Sequence, residues 1–95
     1  MNSAIHNHKD YNGWTNYATW RVNLEILGDI EFDAPVDADQ LKEITKYVVF
    51  NNYEMKIGSH LVEDYARAFL SEVNYYEIAE AINTDMLIDK LNITN

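Results

Sequence analysis

The chain has 95 residues, no cysteine, and 16 Asp and Glu against seven Lys and Arg, giving a net charge of −9 and a pI near 4.5. Disulfides and thiolate metal sites are therefore excluded. So is phosphate-tracking nucleic-acid binding as a whole-surface mode, because that binding relies on Lys and Arg displacing counterions.

With 47% hydrophobic and 13% aromatic residues, the sequence is too apolar for a disordered chain and is long enough for one core, which predicts a single domain. No apolar run approaches the roughly 20 residues that span a bilayer. Met1 to Asp10 is polar where a signal peptide would be apolar, and acidic membrane surfaces would repel the chain. A cytoplasmic protein is expected. The charge is uneven: up to Gly28, Asp10 and Glu25 balance Lys9 and Arg21, so the whole net charge falls on the remainder.

In chain order, residues 1–13 lack apolar periodicity and read as a flexible N-terminal arm, with residues 14–95 as one helical domain. Thr15 is placed to cap a first helix in which Tyr17, Trp20, Leu24 and Leu27 form one stripe, ending at Gly28 as a C′ residue. Trp20, Val22, Leu24 and Ile26 also alternate, which leaves a short strand as the competing reading. The acidic run from Asp29 to Asp37, interrupted by Pro35, is a connection.

Asp37 caps a second helix reaching about Asn51, with Leu41, Ile44 and Val48 inward and Glu43 and Lys46 outward. Ser59 opens a third, with Leu61, Val62, Tyr65, Phe69 and Val73 at helical spacing and Glu63, Asp64 and Arg67 outward. Asn74 and Glu77 resemble a capping box for a fourth, and Thr84-Asp85 could cap a last short one. The expected fold is all-α, a small bundle of four to five short helices.

The segment Asn12-Gly-Trp-Thr-Asn-Tyr-Ala-Thr-Trp-Arg-Val-Asn-Leu-Glu resembles the N-terminal signature, N-G-[WY]-T-N-Y-E-T-W-x-V-x-L-W, of a family of small uncharacterised proteins from phages, plasmids and other mobile elements. Val73-Asn-Tyr-Tyr-Glu-Ile-Ala is similar to that family's V-[ND]-W-x-E-I-A. This chain departs from the pattern at Ala18, where the family usually has Glu, and at Glu25 and Ile26, where a Trp often follows. The resemblance implies a mobile-element setting, and with it interference with host defence, but no reaction. From packing alone, Trp20 is expected in the core and both tryptophans are expected to clamp the first helix.

No enzyme is expected, since the sequence has no nucleophile elbow and no Gly-rich phosphate loop. Asp29, Glu31, Asp33 and Asp37 occupy positions 1, 3, 5 and 9 of an EF-hand loop, but Ala34 stands where Gly is needed and Gln40 where a bidentate Glu is needed. His6, His8 and His60 do not form a ligand set. No cofactor or metal is expected.

What remains is the acidity. The candidate partner-binding residues are Asp29, Glu31, Asp33, Asp37, Asp39, Glu43, Glu63 and Asp64, with Trp14 and Tyr76 as aromatic anchors; Glu72, Glu77 and Glu80 are further acids on the later helices. The expected function is inhibition of a host defence nuclease, a CRISPR effector or restriction enzyme, by occupying its basic nucleic-acid-binding surface. The alternative is an adaptor docking on host machinery through exposed aromatics, namely Trp14, Tyr53, Tyr75 and Tyr76.

Overall fold

The computed structural model describes residues 11–51 and 58–93. Its elements are α1 (Tyr17–Glu25), a 3-10 turn (Leu27–Asp29), α2 (Ala38–Asn51), α3 (Ser59–Leu70) and α4 (Tyr75–Ile93). The fold is all-α, and the strand alternative over residues 20–26 is excluded because that segment lies within and just after α1. Among the described residues, no helix is long and apolar enough to cross a membrane.

The start of α1 differs from the expectation. Asn16, not Thr15, is the N-cap, and its carboxamide oxygen accepts from the Thr19 N–H at 2.9 Å. The inward face differs as well: Ala18, Thr19 and Val22 are buried, while Tyr17 and Leu24 of the expected stripe are 37% and 54% exposed. Small residues face inward because α1 lies close against the start of α4. There the Thr19 hydroxyl donates to Asn16 Oδ1 at 2.7 Å and accepts from the Asn74 N–H at 2.9 Å.

Two further contacts tie the same ends together. Asn16 Nδ2 donates to the Glu72 carbonyl at 2.9 Å, and the Thr15 N–H donates to the Glu77 carboxylate at 3.1 Å. Asn74 caps α4 by accepting from the Glu77 N–H at 3.2 Å. The expected capping box is thus half present, since the Glu77 side chain reaches the neighbouring helix start.

Gly28 is not the C′ stop of α1, which is closed by Ile26 donating to the Val22 carbonyl. It lies in the 3-10 turn, where a Cβ would sit 2.6 Å from the Asn23 carbonyl oxygen. The residue is small because the chain folds back onto α1, not because of its φ angle.

The second helix opens as expected. Asp37 Oδ1 accepts from the Gln40 N–H at 2.8 Å and Gln40 Oε1 accepts from the Asp37 N–H at 2.9 Å, a complete reciprocal cap. Leu41 and Thr45 are buried and Ile44 is half-buried, but Val48 is 39% exposed because α2 outruns the core at its far end.

The third helix follows Gly58 as cap, with Ser59 buried in its first turn. Of its expected inner stripe, only Phe69 packs against the core, joined by Val73 from the turn beyond, while Leu61, Val62 and Tyr65 are exposed. The fourth helix runs unbroken through Thr84-Asp85 for 19 residues, so no separate fifth helix forms. Among its residues, Asn83 clamps the connection: its carboxamide accepts from the Val36 N–H at 2.8 Å and donates to the Val36 carbonyl at 2.9 Å. This pairs both backbone groups of a buried residue that no helix could satisfy.

The core is Val22, Leu27, Val36, Ala38, Leu41, Tyr75, Ile78 and Ala79. Among the described residues, two hydroxyls, Thr45 Oγ1 and Tyr75 OH, are buried without a hydrogen-bond partner. Burial pushes the Tyr75 phenol above its ordinary value, and the nearby Thr45 hydroxyl offsets this in part without reaching hydrogen-bond geometry.

Replacing a buried orphan hydroxyl by an apolar isostere removes a desolvation cost. The double variant Thr45→Val, Tyr75→Phe is expected to gain about 1 kcal/mol in thermal or urea unfolding at neutral pH. Because the folded state holds the Tyr75 proton more tightly than the unfolded chain, this residue's contribution is fully present below pH 10.0 and is lost as pH rises above that value through the higher pKa of the folded state. Tyr75→Phe should therefore reduce the alkaline loss of stability.

Candidate partner-binding face

Residues Tyr11 to Trp14 form a tight turn closed by two backbone hydrogen bonds, Tyr11 N to Trp14 O at 2.8 Å and Trp14 N to Tyr11 O at 2.7 Å. Asn12 and Gly13 have φ of 49° and 93°, the left-handed pair that an Asn-Gly dipeptide supplies at little cost. The described structure thus already includes Tyr11 to Gly13, which the sequence assigned to the arm.

Trp20 departs from its expected place in the core, and both tryptophans are half-buried. Trp14 packs against the core, whereas Trp20 is half-buried outside it, in a ring cluster with Tyr11 at 5.5 Å and Tyr17 at 5.6 Å. Tyr17 also meets Tyr11 at 5.1 Å and Phe69 at 6.0 Å, both edge-on. The cluster fastens the first turn and the end of α3 to α1. Its Tyr17 hydroxyl accepts from Arg21, whose guanidinium is held above its usual value first by Glu25 and then by Tyr17.

Two shallow clefts flank Trp14. One is lined on α4 by Glu77, Glu80, Ala81, Thr84 and Asp85. The other brings Glu31 and Asp33 of the connection opposite Asp85 and Asp89 of α4, over a floor that includes Leu27, Phe32 and Ile82. Glu77, Ala81, Asp85 and Asp89 recur every four residues and so share one helical face. Among the described residues, no Lys or Arg lines either cleft, so Glu31, Asp33, Asp85 and Asp89 share their groove without a lining cation.

The remaining candidate acids are placed differently. Glu63 is held by Arg67 at 2.6 Å and Glu43 lies 3.9 Å from Lys46, so each has a cation of its own helix. Asp29, Asp37, Asp39 and Asp64 are exposed at separate points, with Asp37 occupied as a cap. Tyr76 is 79% exposed, but Tyr75 is buried in the core and is lost as an exposed aromatic. Tyr53 lies outside the described residues.

Sequence reasoning passed over Asp85 and Asp89. Their spacing was visible, but the expected break at Thr84-Asp85 hid the single helix that aligns them. Among the described residues, no group of three or more His, Asp or Glu is close enough to hold a metal ion.

The packing difference between the tryptophans gives a direct expectation. Trp14→Ala should cost about 2 kcal/mol in urea unfolding, part of the loss for a large core side chain because this ring is half-buried against the core, and Trp20→Ala about 1 kcal/mol, the scale of ring contacts outside a core. The reverse order would contradict this assignment. No protein-family model matches the chain, and no curated protein or solved structure matches it.

Proposed function

We propose that the chain is a non-enzymatic inhibitor that binds a host defence nuclease, a CRISPR effector or a restriction enzyme, with the acidic groove beside Trp14 set against the enzyme's basic nucleic-acid-binding surface. The observation that carries this reading is the convergence of Glu31, Asp33, Asp85 and Asp89 on one open groove without a lining cation among the described residues. Carboxylates from two segments far apart in sequence line that groove together, and a cationic partner surface would meet them in the way it would accept DNA phosphates. Such a field also speeds encounter with a basic partner and fades with salt. The likeness of the Asn12–Glu25 segment to mobile-element proteins supplies the host-defence setting.

A second reading, an adaptor on host machinery such as RNA polymerase or a protease, is favoured by one observation, the 79% exposure of Tyr76. Aromatic anchors of this kind dominate many interfaces.

The test is capture of host proteins on the tagged chain, with and without excess duplex DNA. The inhibitor reading expects a nuclease that DNA and high salt displace. It also expects that reversing Glu31, Asp33 and Asp89 to Lys weakens binding roughly a hundredfold, while Asp37→Lys and Glu43→Lys change it little. A partner indifferent to DNA, salt and the triple reversal, but lost with Tyr76→Ala, would instead establish the adaptor.

A further inference from the structure

The chain carries a net charge of −9, yet apart from Arg21 and Lys90 every Lys and Arg among its described residues lines one small cavity. Lys42 and Lys46 stand one turn apart on α2, with Phe50 a further turn along the same face. Arg67, Leu70 and Ser71 come from the end of α3 and the turn after it, and Tyr75 from the start of α4. Among the described residues, no Asp or Glu lines this cavity. Like charges four residues apart work against a helix, so local structure does not call for Lys at both positions.

The cations are positioned and still have donors to give. The Arg67 guanidinium lies over the Phe50 ring at 4.4 Å, and its Nε and Nη2 donate to a single Glu63 oxygen at 3.0 Å and 2.6 Å. That fixes the plane of the group and leaves Nη1 uncommitted. Lys42 makes no ion pair among the described residues, and Lys46 reaches Glu43 only at 3.9 Å. The Ser71 hydroxyl, by contrast, is spent on the Ala68 carbonyl at 2.6 Å. Recognition at this cavity therefore falls to three charged N–H donors from two helices, over an apolar floor of Phe50, Leu70 and Tyr75.

We propose that this cavity binds a phosphate group between Lys42 and Lys46 on one wall and Arg67 on the other. Donors that converge from opposite walls suit a tetrahedral oxyanion, and hydrogen bonds between charged partners are the stronger kind. The cavity holds about 200 Å³, less than the roughly 300 Å³ at which sites for drug-sized ligands begin. It therefore admits a phosphoryl group with few further atoms, either inorganic phosphate or the end of a small phosphomonoester. It shares no lining residue with the acidic groove beside Trp14, so the site does not depend on the identity of any host partner.

Nuclear magnetic resonance titration of the isotopically labelled chain with inorganic phosphate and with phenyl phosphate, at fixed pH and with ionic strength held constant by sodium chloride, tests this directly. Saturable amide shifts are expected around Lys42, Lys46, Arg67 and Ser71. Tighter binding of phenyl phosphate would mark a phosphomonoester as the source of the group, and equal binding would mark inorganic phosphate. Lys42→Ala and Lys46→Ala should each weaken binding about tenfold, whereas Lys90→Ala, at an exposed position outside the cavity, should leave it unchanged. Shifts that grow linearly without saturating, the same shifts with chloride alone, or undiminished binding by the double variant Lys42→Ala, Lys46→Ala with its helical circular dichroism intact would overturn the proposal.

Discussion

Two helix starts meet head to head in this protein, and the polar side chains that cap them also join them. Asn16 caps α1 and donates to the Glu72 carbonyl, the Thr19 hydroxyl accepts from the Asn74 N–H, Asn74 caps α4, and Glu77 of α4 receives the Thr15 N–H. A helix start brings unpaired N–H groups that repel another helix start. Two such ends can be buried together only if side-chain oxygens stand between them. This constraint explains the make-up of Thr15-Asn16-Tyr17-Ala18-Thr19: amide and hydroxyl groups for the junction, and a small residue at the buried Ala18 position.

The rest of the molecule follows from that junction. Fixing α1 on α4 sets Trp14 on the core beside the acidic face of α4, and the 3-10 turn at Gly28 then returns the connection along the same side. Asn83 holds the connection at Val36, which keeps Glu31 and Asp33 opposite Asp85 and Asp89. The other side of α1 carries the ring cluster of Tyr11, Tyr17 and Trp20, to which only the last turn of α3 is fastened through Phe69. One side of the fold is therefore charged and braced, and the other is apolar and open.

Much of this architecture was legible in the sequence. The Asp37 cap, the extent of α2, the start of α4 at Asn74 and the all-α class follow from local capping chemistry and periodicity, which act within a few residues. What was not legible depends on long-range contacts. Periodicity cannot say which stripe of an aromatic-rich helix turns inward, and here a close helix approach selected Ala18, Thr19 and Val22 over the larger Tyr17 and Leu24. Thr84-Asp85 carries a cap signal that packing of the surrounding helix overrides. The acids of the connection were visible as candidates, but their partners Asp85 and Asp89 became apparent only once α4 was continuous.

Native-state amide hydrogen exchange tests the central role of the junction most directly, because the Asn74 N–H is held by the Thr19 hydroxyl rather than by a backbone carbonyl. The account predicts that this amide exchanges only through global unfolding, as slowly as the amides of Leu41 and Ile78 in the core. Rapid exchange of Asn74 through local opening, while those core amides stay protected, would contradict it and leave the fold to its apolar packing alone.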